Sequence, residues 1–186
     1  MKMRNDSDGS CTEGHPRQRS CVRNVVVITV CVCISTAPAF SKELEKADFA
    51  VAGLSVNAKV DSSTLFEKWG PPKNTERHIE THRTPQPETS YVYCFDSITV
   101  CLNRFGIRWF EFTSTILKTT RGITVGSTAD EIRRRYGKPS PEVWLGRADG
   151  KDDEVLSYFK HNSTLGVAFF LHKGRVIRIA VGWGST

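Results

Sequence analysis

Apolar positions in this chain of 186 residues fall into two rhythms. Between residues 89 and 112, and again between 155 and 183, they alternate with polar or small residues in runs rich in β-branched and aromatic side chains. That period of two marks half-buried strands. Each set holds three runs: TSYVYCF (89–95), ITVCLN (98–103) and FGIRWFEF (105–112), then VLSYFKH (155–161), LGVAFFLH (165–172) and RVIRIAVGW (175–183). Ahead of each set the spacing lengthens to four, so Leu65 and Trp69 share one helical face, as do Ile132 and Tyr136. Asp61 or Ser62 is placed to cap the first helix, and Gly70-Pro71-Pro72 ends it, because Gly takes the left-handed position and Pro cannot continue. For the second helix the expected cap is Ser127, with Asp130 completing an acidic capping box and Gly137-Lys138-Pro139 as the stop.

The two halves follow one order. GLSVNAKVDSSTLFEKWGPPK (53–73) and TTRGITVGSTADEIRRRYGKP (119–139) both pass from Gly-aliphatic-Ser/Thr-Val through a short helix to aromatic-Gly and then Pro. Gly53 to Gly122 is an offset of 69 and Gly70 to Gly137 one of 67. So steady a period points to an internal repeat. The expected fold class is α+β: two tandem modules, each a short helix packed on a three- to four-stranded antiparallel sheet. The first module spans 53–117 and the second 118–186, with a linker over 40–52.

Gly122, Val125, Gly126, Ser127, Ile132, Tyr136, Gly137 and Pro139, echoed by Gly53, Val56, Leu65, Trp69, Gly70 and Pro72, form a pattern. It resembles the SmpA/OmlA domain of the outer-membrane assembly lipoprotein BamE, and the similarly folded β-lactamase inhibitor proteins. The tandem copies resemble the inhibitors more than the single-domain assembly factor. The first copy departs from the pattern in having Asn57 at the place of Gly126 and two extra residues before its helix. The resemblance implies an extracytoplasmic, non-catalytic protein-binding module, or alternatively a secreted proteinaceous enzyme inhibitor.

The first 39 residues read as something else. VVVITVCVCI (25–34) is a ten-residue apolar run behind Arg17, Arg19 and Arg23, and Ala37-Pro38-Ala39 follows as a small-x-small site. Together these describe a secretory signal peptide with a long polar leader, in a run too short to span a bilayer comfortably. The expected location is periplasmic or secreted, with membrane contact only through an uncleaved leader. Cys31 and Cys33 lack a lipobox-like neighbour. With Cys11 and Cys21 they leave Cys94 and Cys101 as the pair in the exported part, which an oxidising compartment turns into an expected disulfide across a hairpin.

Charge and motifs then narrow the chemistry. The leader holds five Lys/Arg and three Asp/Glu, which leaves 21 basic against 17 acidic residues beyond it. That bias is mild and has no basic run beyond Arg133-Arg134-Arg135, so nucleic acid is not an expected partner. HIETH (78–82) sets His78 and His82 four apart with the glutamate one place off the zinc-peptidase spacing. On a strand those histidines stand about 13 Å apart, so exposed strand positions are the expectation. The acidic run Asp149, Asp152, Asp153 and Glu154 lacks the rhythm of a calcium loop. No phosphate loop or nucleophile elbow is present. No enzyme, cofactor or metal is expected.

Alternation also sorts the two sheet faces. Phe110, Phe112, Ile179, Val181, Tyr91, Tyr93, Val100, Leu102, Val167 and Phe169 are expected under the helices. Cys94, Thr99, Cys101, Ile107, Trp109, Glu111, Phe159, Phe170, Arg178 and Ala180 are expected on the opposite face. Of these, Ile107, Trp109, Phe159, Phe170 and Arg178 form the candidate protein-binding face, since aromatic and arginine side chains anchor most protein interfaces.

Overall fold

A computed structural model describes residues 42–80, 87–141 and 153–184, all within one unit spanning 36–186. The signal-peptide reading, His82 and the acidic positions Asp149 and Asp152 lie outside the described residues. The alternating runs become strands and the period-four stretches become helices. In chain order these are β1 (Ala50–Val51), β2 (Leu54–Ser55), α1 (Ser62–Trp69), β3 (Asn74–Glu80), β4 (Glu88–Cys94), β5 (Ile98–Asn103) and β6 (Gly106–Phe112). There follow α2 (Ala129–Tyr136), β7 (Glu154–Phe159), β8 (Leu165–His172) and β9 (Arg175–Trp183).

Helix starts follow from local hydrogen bonding. Asp61 caps α1 by accepting from the Thr64 N–H at 3.0 Å. That bond, with those from the Ser63 and Thr64 hydroxyls, holds the Asp61 carboxyl below its usual range. In α2 the cap is Thr128, not Ser127. Thr128 is the residue with extended backbone, its Oγ1 accepts from Glu131 N at 3.2 Å, and Glu131 Oε2 accepts from Thr128 N at 2.8 Å. Glu131 therefore takes the place expected of Asp130, while the Ser127 hydroxyl accepts from Thr124 N in the preceding turn at 3.3 Å.

Seven strands form one antiparallel sheet in the order β3-β4-β5-β6-β9-β8-β7. The expected pair of separate sheets is replaced by a shared one. β6 and β9 pair edge to edge through Trp109–Gly182, Phe110–Val181, Glu111–Ala180 and Phe112–Ile179. The third strand of each half was short of a neighbour, and pairing the two satisfies both rows of backbone groups.

The halves match in detail. Asn57 N–H donates to Ile107 O at 2.7 Å and Ile107 N–H to Ala58 O at 3.1 Å. Gly126 N–H donates to Val176 O at 2.8 Å and Val176 N–H to Ser127 O at 2.9 Å. Both Asn57 and Gly126 have positive φ, 65° and 93°, a conformation Asn tolerates better than most residues do. Register shifts fall between Cys101 and Leu102 against β6, and between Phe170 and Leu171 against β9. Arg108 and Ile177 are the extra residues of these two bulges.

The first bulge corrects one expectation. Ile107 pairs with Leu102 and is fully buried under the helices, not on the outer face. Strict alternation from Trp109 put it outside, and the extra residue Arg108 reverses the parity. The remaining core agrees closely: Leu65, Val100, Phe110, Ile132, Tyr136, Val167, Phe169 and Ile179 are all fully buried. Tyr91 departs from it, 39% exposed on the stretch of β4 beyond the cover of α1.

Residues 42–52, expected to be a linker, carry a 3-10 turn (Lys46–Phe49) and strand β1, and add Leu44, Phe49 and Val51 to the main core. Lys42 docks on the end of α2, its N–H donating to Tyr136 O at 3.0 Å and its Nζ to Arg134 O at 3.2 Å. A lysine there satisfies helix-end carbonyls and complements the helix dipole.

Candidate functional site

The helix-free face of the sheet is built from two rows in strict register. One runs Glu111, Ala180, Ala168, Ser157 across β6, β9, β8 and β7; the other runs Trp109, Gly182, Gly166, Phe159. The small residues of the two central strands, Ala168, Ala180, Gly166 and Gly182, are all buried, and the Phe159 ring packs against Gly166. Neither glycine is replaceable by a larger residue. A Cβ on Gly182 (φ 142°) would overlap the Trp109 backbone, and one on Gly166 would meet the Phe159 ring. Trp109 and Phe159 are half-buried, one at each end of their row.

Beside these rows lies a buried ion pair. Arg178 Nη1 donates to Glu111 Oε2 at 3.0 Å, and the guanidinium lies 3.8 Å from the Phe170 ring centroid. The small side chain of Ala180 lets Arg178 reach across toward Glu111. Arg178 is only 4% exposed and Phe170 1%, so these two, expected as surface anchors, are buried. A buried guanidinium needs its carboxylate partner, because removing one leaves an uncompensated charge. Of the five residues expected on the binding face, Trp109 and Phe159 remain accessible there, and Ile107 belongs to the core.

Cys94 and Cys101 share this face, yet the structure records no bond between their sulfurs. Cys94 sits opposite Thr99 and Cys101 opposite Val92. The cysteines are therefore diagonal neighbours, about 7–8 Å apart at Cα, which is beyond what a disulfide bridges without backbone movement. The sequence count of six intervening residues matched a hairpin; the Asp96-Ser97 turn set the register two places away from direct opposition.

A second polar cluster, missed in the sequence, ties the N-terminal segment to the second half. Asp48, 3% exposed, accepts from Arg121 Nε at 2.8 Å, Arg121 Nη2 at 2.6 Å and Thr120 Oγ1 at 3.0 Å. Arg121 also donates to Glu43 O and lies over the Tyr136 ring, 4.8 Å from its centroid. The Asp48 carboxylate raises the Arg121 pKa further above its ordinary value. Such forked geometry is the strong form of an ion pair. The only sequence signal for it would have been an acid in an otherwise unremarkable "KADF".

Among the described residues no three His, Cys, Asp or Glu side chains form a group that could hold a metal ion. His78 lies on β3 beside Glu76 at 3.4 Å, and His172 beside Asp153 at 3.5 Å, both pairs near solvent. His161 and the Asn162-Ser163-Thr164 turn are also at the surface. Among the described residues no helix is long and apolar enough to cross a membrane.

No family model matches the chain, and no curated protein matches it. Among solved structures it is similar to an extracellular protein containing an SCP domain from Bacillus anthracis str. Ames, at 14% identity and a TM-score of 0.42. The alignment covers 66% of this chain and 43% of that one. A likeness at that level carries no argument here.

Proposed function

We propose that the protein is an exported, non-enzymatic binding module of the cell envelope or extracellular space, made of two copies of one helix-plus-sheet unit that resembles BamE-like domains, doubled as in the β-lactamase inhibitors. Its partner is a protein, held against the helix-free sheet face. The observation that carries this reading is the Trp109–Gly182–Gly166–Phe159 row, which ends in a half-buried, still accessible aromatic on each side. Large, partly accessible aromatics give contact area at small entropic cost, as interface anchors do. The matched bulges at Arg108 and Ile177, and the matched turns at Asn57 and Gly126, support the two-copy reading.

The test is a pull-down from source-cell envelope extract with the parent protein and a Trp109→Ala, Phe159→Ala variant of unchanged melting temperature. A protein held by the parent and lost by the variant is the expected result. Equal retention by both would remove the sheet face from the reading. Titration of a captured enzyme to stoichiometric loss of its activity would convert the module into an inhibitor.

A further inference from the structure

We infer that β3 is a docking edge for an extended segment of a partner protein, which joins the sheet as an eighth strand. This inference shares with the proposed function only the premise of a protein partner, since the edge is a different surface from the one that carries Trp109 and Phe159. β3 ends the sheet, and among the described residues no strand pairs with its outer side. The far edge, β7, is buried over Leu156–Tyr158, whereas Asn74, Thr75, Arg77, His78 and Ile79 are all exposed. Open edges are usually blunted by shortness, bulges, proline or charge. β3 has seven residues in unbroken register and no proline, so charge is the only such device among the described residues.

The bonding direction of each residue on β3 is fixed by the neighbouring hairpin. Phe95 donates to Ile98 O at 2.9 Å, so the odd-numbered residues of β4 bond toward β5 and the even-numbered ones toward β3. With Asn74 opposite Cys94, Glu76 opposite Val92 and His78 opposite Ser90, the backbone groups of Thr75, Arg77 and Ile79 face outward. Three outward residues offer three N–H donors and three C=O acceptors to an incoming strand. Their side chains lie on the helix-bearing face, where Ile79 is 53% exposed and Tyr91, directly opposite Arg77, is stacked on Tyr93.

That arrangement specifies the occupant. Opposite residues on one face of an antiparallel pair interact directly, and opposite charges there are favourable. The incoming strand therefore carries an acidic side chain against Arg77 and an apolar one two places away, against Ile79. Recognition would run through main-chain bonds for affinity and alternate side chains for selection. A second copy of this chain fits poorly. A two-fold pairing keeps side chains on the same face only when it is centred on a residue. Centred on residue 76 it sets Glu76 against itself, centred on residue 77 it opposes the two Arg77 guanidinium groups, and centred on residue 78 it leaves Arg77 opposite Ile79.

The experiment uses a displayed library of random twelve-residue peptides selected against the full-length chain. Enriched peptides should show an acidic residue with an apolar residue two positions away. Their binding should slow amide exchange at Thr75, Arg77 and Ile79. Arg77→Pro deletes an outward N–H without touching the β3–β4 ladder, and should weaken binding about tenfold, the worth of one or two lost hydrogen bonds. Should that variant fail to fold, Arg77→Glu serves instead and should shift selection toward a basic residue at the same place. No enrichment, or peptides indifferent to both substitutions, would overturn the docking edge. Peptides lost only with Trp109→Ala would overturn it too, while leaving the sheet-face reading standing.

Discussion

Tyr158 is buried to 2% exposure, with its hydroxyl donating to Gly137 O at 3.3 Å, and this burial pushes its pKa up to about 12. Burial raises the neighbouring Tyr136 in the same direction. In the unfolded chain both phenols titrate near 10. Below that pH each is neutral in both states, and between about 10 and about 12 the unfolded chain loses protons that the folded chain keeps. Stability is therefore whole below pH 10 and falls as pH rises through that window. The melting temperature should drop steeply over this range, and less steeply in Tyr158→Phe. Parallel pH profiles for the two proteins would count against this. The sequence placed Tyr136 in the core through its spacing from Ile132, but gave no sign of Asp48 or Arg121. Spacing reports which face a residue occupies, whereas an ion pair between residues 73 apart depends on where the chain returns.

At the scale of elements, α2 starts with a capping box whose two bonds run between Thr128 and Glu131. Thr128→Ala should lower stability by about 1 kcal/mol, measured by denaturant titration. Ser127→Ala should change it by less, because its hydroxyl serves the turn before the helix. An equal loss from both would return the cap to Ser127. The helix itself was legible, as were all the strands flanking the two hairpin turns at Asp96-Ser97 and Lys173-Gly174. The first residue of the helix was not, since Ser127 and Thr128 are both good caps and only backbone geometry separates them. The bulges were equally hidden. Arg108 and Ile177 are ordinary strand residues, and Ile107 two places from Trp109 reads as continued alternation although the inserted residue has reversed the parity. This is why Ile107 was assigned to the wrong face, whereas the Cys94–Cys101 pairing was misjudged by two residues because the Asp96-Ser97 turn sets the β4–β5 register.

For the whole molecule, the segment before Gly53 is structural. Leu44, Phe49 and Val51 are each under 5% exposed, and Asp48 joins them to Arg121. A protein lacking residues 1–39 should fold and melt cooperatively. One lacking residues 1–52 should lose most of its cooperative transition, for it exposes part of the main core and strands the Arg121 charge. Circular dichroism melting curves decide this, and matching transitions would make the segment dispensable. Composition made residues 40–52 look like a linker because their apolar residues are few and irregularly spaced. Three anchors suffice when the surface receiving them is already built.

The seam between β6 and β9 has a temporal meaning as well. Every other pair in the large sheet joins neighbours along the chain, while Phe110 meets Val181 only after 70 residues have intervened. Closing so long a loop costs more chain entropy than closing a hairpin, and pairings of that kind set the pace of folding. Until β9 arrives, β6 stands as an unpaired edge ending in Trp109 to Phe112. As the chain emerges in order from synthesis, its first half is kept waiting, sticky, for its second.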